Sequence, residues 1–137
     1  MNAPALAYLA TDGRFPALTR LALRANTVDP VGLRALLLAK FISHLTHLDL
    51  AVNQLGDLGA QALAGADLGP LRWLSVERNG IGSTGFATLA GSARLRRVAT
   101  LRAAANSGGD WRPLVRHAFA GDEAWGDEFI PEGEIPF

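Results

Sequence analysis

Cysteine is absent from this 137-residue chain. That excludes disulfides, cysteine-ligated zinc, iron–sulfur clusters and a thiol nucleophile. Long apolar runs are also missing. The longest, VGLRALLLAKFI, carries Arg34 and Lys40 and is too short and too charged to span a bilayer as a helix. The opening MNAPALAYLATDG has no basic residue before Arg14 and no clear cleavage pattern, which argues against a secretory signal. No Asn-x-Ser/Thr acceptor occurs. Aromatic residues are few, at 7%, and charged residues make up 19%, yet hydrophobic residues reach 49%. Such a chain is too apolar to stay disordered, and one packed domain is expected. Lysine occurs once, at Lys40, beside twelve arginines. With abundant Ala, Gly and Leu, this points to GC-rich codon usage and a bacterial source. A cytoplasmic protein without a cofactor is the expectation.

The net charge of zero conceals an asymmetry. Residues 1–106 hold eleven Arg/Lys against six Asp/Glu, a balance of +5; residues 107–137 hold two against seven, a balance of −5. A basic body therefore precedes an acidic tail, which serves solubility or folds back over the body.

Self-similarity dominates what is present. LTRLALRANTVDPVGLRAL, LTHLDLAVNQLGDLGAQAL and LRWLSVERNGIGSTGFATL align without gaps at their front ends. Four asparagines, Asn26, Asn53, Asn79 and Asn106, recur every 26 or 27 residues. Apolar residues stand eight, five and three positions before each: Leu18, Leu21 and Leu23; Leu45, Leu48 and Leu50; Leu71, Leu74 and Val76; Val98, Leu101 and Ala103. Two positions after come Val28, Leu55 and Ile81, and six after come Gly32, Gly59 and Gly85.

Within each unit the period switches. The pair at −5 and −3 alternates with polar residues, as in a short strand with one buried face. Leu58, Ala62 and Leu63, or Phe86 and Leu89, then recur at helical spacing. Gln54–Asp57 and Gly80–Ser83 read as turns entering helices, with Asp57 and Ser83 expected as N-caps. One such unit cannot bury its apolar face alone, whereas a stack of them builds a continuous core.

NQLGDLGAQAL and NGIGSTGFATL resemble the leucine-rich repeat family, and within it the ribonuclease-inhibitor-like subtype. The resemblance covers about residues 18–106. It implies an α/β solenoid, a short horseshoe with a parallel sheet on the concave face and helices on the convex face. Units then begin near 18, 45, 71 and 98. Residues 1–17 are expected to form a capping helix or partial repeat, with Leu9, Phe15 and Leu18 matching Leu63, Leu68 and Leu71. Residues 107–137 are expected as a C-terminal cap and acidic tail. A short helix over 112–119 uses Leu114, Val115 and Phe119, and irregular chain follows, ordered through Trp125, Phe129 and Ile130. Bare solenoid ends expose a sheet edge, so self-association is a further expectation.

The asparagine ladder reads as structural, each amide satisfying backbone groups at the bend after a strand. The repeated glycines read as close approaches of helix to sheet. A phosphate-binding G-x-G-x-x-G is absent. Outward strand positions are different, because packing does not dictate them. Alternation places Arg20, Ala22 and Arg24, then His47, Asp49 and Ala51, then Trp73, Ser75 and Glu77, then Thr100, Arg102 and Ala104 on the concave face, with Val52 and Arg78 at strand exits. Trp73 amid Arg20, His47, Glu77 and Arg102 has the composition of an interaction hot spot, unless the C-terminal segment covers it.

Catalysis finds little support. His44, His47 and His117 lack a carboxylate cluster that would complete a metal set. His47, Asp49 and Ser75 share a face, but a flat sheet supplies neither an oxyanion hole nor a closed pocket. The leading expectation is a non-catalytic protein–protein interaction module or adaptor in a larger assembly. Its partner contacts would be Arg20, Arg24, His47, Asp49, Trp73, Ser75, Glu77, Arg78 and Arg102. Nucleic-acid binding through the basic body, where Arg94, Arg96 and Arg97 cluster near Arg102, is the alternative opposed by the acidic tail. Regulation of an enzyme such as a GTPase is suggested only by resemblance to other proteins with this repeat subtype.

Overall fold

The computed structural model describes residues 5–6 and 18–107. The helix expected over 112–119, the tail aromatics and Leu9 and Phe15 lie outside the described residues. Strand, helix and return loop alternate along the chain: β1 (Arg20–Ala22), α1 (Pro30–Leu36), β2 (His47–Asp49), α2 (Gly56–Ala64), β3 (Trp73–Ser75), α3 (Ser83–Ala90) and β4 (Thr100–Arg102). The four strands form one parallel sheet in sequence order. The architecture is an α/β repeat fold.

Register follows the leucines. Leu21, Leu48, Leu74 and Leu101 are partners across successive strands. Leu48, Leu74 and Leu101 join Leu23, Leu50, Val76 and Ala103 in a single buried cluster that also takes in Leu33, Leu36, Leu63, Phe86 and Leu89 from the helices. A one-residue slip would turn every leucine outward, so burial of this face sets the pairing. Leu6, in a helical stretch, is also fully buried in that cluster.

The bend after each strand is built the same way four times. Ala25, Val52, Arg78 and Ala105, each immediately before the asparagine, have φ between 54° and 59°. This left-handed conformation is unfavourable for residues with a Cβ, so the surrounding structure must impose it. It turns the chain sharply enough for the next side chain to fold back. Asn53 Nδ2 donates to the carbonyls of Leu23, Leu50 and Ala51 at 3.0, 2.9 and 3.2 Å. Its Oδ1 accepts from Asn26 N and Val28 N in the preceding unit, at 3.0 and 2.8 Å. Asn106 repeats this toward Asn79 N and Ile81 N, and Asn79 toward Leu55 N. Each amide thus closes its own turn and ties it to the unit before.

Two expected helix caps are corrected. α2 starts at Gly56, which places Asp57 inside its first turn. The Asp57 carboxylate instead accepts from Gly82 N at 2.7 Å and Gly85 N at 3.2 Å, capping α3 one repeat onward. The exposed amides of that helix end attract the negative charge. Ser83 is the first residue of α3 and makes no capping bond, Gly82 being the N-cap. Asp29 does cap its own helix, accepting from Gly32 N at 2.8 Å ahead of Pro30.

The expected close approach at glycine occurs between helices. A Cβ on Gly85 would sit 2.5 Å from Asp57 Oδ1, 2.6 Å from Ile81 Cγ2 and 3.2 Å from Ala60 Cβ. The missing side chain is therefore what brings α3 onto α2 and allows the Asp57 cap.

Return loops vary. Lys40–His44 and Ala93–Leu95 are 3-10 turns, while residues 65–72 contain no helix. Each loop nevertheless pins an apolar residue five positions before the next strand begins: Ile42, Leu68 and Leu95 are all buried.

Candidate functional site

The sheet assembles the outward residues in two rows. Arg20, His47, Trp73 and Thr100 face across successive strands in one, and Ala22, Asp49, Ser75 and Arg102 in the other. Strand neighbours stand about 4.8 Å apart, so side chains within a row touch. The structure therefore brings His47, Asp49, Trp73, Ser75 and Arg102 together. Arg24, Glu77 and Arg78 stand just beyond strand ends.

Solvent access does not follow the outward direction. Arg20, Arg24 and Arg78 are exposed, and His47, Glu77 and Arg102 are half-buried. Trp73 is only 7% exposed, with Asp49 at 3% and Ser75 at 1%. The expectation of a solvent-facing tryptophan is corrected. His47 stacks on the indole with ring centroids 6.5 Å apart and planes inclined by 27°. Trp73 is part of the packing on this side of the sheet.

Polar groups in the rows are arranged unevenly. Asp49 Oδ1 accepts from Ala51 N at 3.0 Å, tying the carboxylate to its own strand end. Arg102 Nε lies 2.8 Å from Glu77 Oε1, an ion pair whose partners are each mostly buried. Ser75 Oγ is buried without a hydrogen-bond partner among the described residues. Hence no bond links Ser75 to His47 or Asp49, and the base–nucleophile connection that a catalytic triad requires is not formed. Thr46 Oγ1 lies 2.8 Å from His47 Nδ1. Burial, and then the charge of Arg20, lower the His47 pKa below its ordinary value, so the neutral ring is favoured.

Among the described residues, no group of three His, Cys, Asp or Glu is placed to hold a metal ion. None of the described helices is long and apolar enough to cross a membrane. His117 lies outside the described residues.

Two features escaped the sequence reading. Asp57 looked like a local cap, because its true partners are 25 and 28 residues away. Arg94, Arg96 and Arg97 were visible as a cluster, but their setting beside Gly69 and Pro70 was not. Arg102 does not extend that cluster, since it pairs with Glu77.

Comparison with curated proteins found no match to this chain. Residues 42–64 match a family model described as Leucine Rich repeat, spanning one return loop, β2, its asparagine turn and α2. With the same strand, asparagine turn and buried leucines recurring over 20–107, that match supports a leucine-rich repeat protein.

Proposed function

We propose that the chain is a non-catalytic adaptor that holds a protein partner against the outward face of its strands, within a larger bacterial, cytoplasmic assembly. Leucine-rich repeats generally mediate protein–protein interaction, and the family is generally non-catalytic. In this reading the units stack as a short ribonuclease-inhibitor-like horseshoe, with strands lining the concave side and helices the convex side. One observation carries the proposal. Arg20, Arg24 and Arg78 are exposed around the rows, although neither the core nor the asparagine turns require charge at those positions.

Trp73, Asp49 and Ser75 then act as a packed floor, and the accessible contacts are Arg20, Arg24 and Arg78, with His47 and the Glu77–Arg102 pair at their side. Guanidinium groups on a rigid strand edge favour carboxylates on the partner through paired hydrogen bonds. Rim charges of this kind set association rate and selectivity more than total affinity. Affinity capture from the native cell tests the reading. The wild-type chain should retain a stoichiometric partner that Arg24→Glu with Arg78→Glu loses, while both forms unfold at the same temperature. Equal recovery of that partner by the double variant would reject it.

A further inference from the structure

A second surface lies at the opposite ends of the strands from the asparagine turns. The return loops before β3 and β4 border an open trough of about 510 Å³ lined by Gly69, Pro70, Ala93, Arg94, Arg96 and Arg97. Its shape has a local cause. Counting back from the first core residue of each following strand, Ser43 and His44, Gly69 and Pro70, and Arg96 and Arg97 occupy equivalent places. Glycine and proline leave the middle loop low, and the arginines of the next loop stand beside the gap.

The arginines are held in place by the buried residues around them. Leu95, between Arg94 and Arg96, is fully buried, as is Val98 after Arg97, so both ends of the segment are anchored in the core. Arg94, Arg96 and Arg97 are exposed, and none forms an ion pair or side-chain hydrogen bond with another described residue. Asp67, the one acidic residue in the facing loop, makes no ion pair with them. Three guanidinium groups unpaired among the described residues, around a gap of this size, favour an anionic occupant.

The type of anion follows from what the described residues offer. Single-stranded nucleic acid is held by a basic track together with aromatic faces on which bases stack. The described aromatic residues are Phe41, Trp73 and Phe86, at 3%, 7% and 0% exposure, so none offers a stacking platform. A short cradle of guanidinium forks instead matches carboxylates, each fork able to take two oxygens.

We propose that the Gly69–Pro70/Arg94–Arg97 trough docks a carboxylate-rich segment of a separate protein, at a surface distinct from the strand face. The probe is a short fluorescent peptide of alternating glutamate and glycine, titrated by anisotropy against the full chain. Binding should weaken as salt is raised and fall at least about tenfold in Arg96→Glu with Arg97→Glu, whose melting temperature should match wild type. Arg24→Glu with Arg78→Glu should bind the peptide as wild type does, which separates this site from the strand-face reading. Failure to bind, or equal loss in both double variants, would overturn the proposal. So would tighter binding of a single-stranded oligonucleotide than of the peptide. Removing three of the seven carboxylates of the chain's own acidic segment through Glu123→Gln, Asp127→Asn and Glu128→Gln should leave peptide affinity unchanged. A rise would assign the trough to that segment rather than to a separate partner, and would overturn the proposal as stated.

Discussion

The two ends of each strand contrast sharply. After the strand, the chain bends the same way in every unit, with a left-handed residue, then an asparagine, then cross-repeat hydrogen bonds. Before the strand, the three return loops differ in helicity, length and charge, and share one buried apolar residue each. The bend buries peptide groups that no regular ladder reaches, so its chemistry has one economical solution. A return loop leaves several of its side chains exposed and needs only an anchor in the core. Freedom to carry charge follows, and Arg94, Arg96 and Arg97, unpaired among the described residues, lie at this end.

Breaking the bend should have the largest effect. Asn53→Ala removes the partner of Val28 N, Asn26 N and the Leu23 carbonyl at once. A loss of about 3–5 kcal/mol is expected by denaturant unfolding, against less than about 0.5 kcal/mol for Ser43→Ala in a return loop. Comparable losses for the two variants would erase the contrast.

Helix packing should come second. Gly85→Ala drives a methyl group into Asp57 Oδ1 and Ile81 Cγ2, and should destabilise by about 1–3 kcal/mol. Making the same substitution in Asp57→Ala tests the cause. If the carboxylate is the main obstacle, Gly85→Ala will be milder there, and strict additivity would shift the blame to Ile81.

The smallest effect concerns His47. Its folded pKa lies below the ordinary value of 6.5, mainly through burial and secondly through Arg20. Between the folded value and the ordinary one, the unfolded chain binds more protons. The neutral ring therefore contributes stability above the ordinary value that is lost as pH falls through the folded pKa. Titration by NMR should show the His47 midpoint rising toward the ordinary value in Arg20→Ala. A midpoint that does not move would remove Arg20 as a contributor.

Much of the fold was legible from the leucines and asparagines. Leu21, Leu48, Leu74 and Leu101 fall in register as their spacing implied, because a buried sheet face tolerates no slip. The candidate site was legible in direction but not in access. Strand alternation correctly set Trp73, Asp49 and Ser75 beside their row neighbours, yet all three are buried. The left-handed residues before the asparagines were invisible. Alanine, valine and arginine carry no signal for that conformation, which the amide bonds impose from outside.

The amino-acid order alone determined the repeat length, the strand register and the composition of the core. These depend on periodic apolar burial, a property written into local spacing. Stacking of the units decided which helix Asp57 caps and that a gap opens between Gly69–Pro70 and Arg94–Arg97. Each of these is set by atoms some 25 residues away along the chain, and such atoms become neighbours only when one repeat closes against the next.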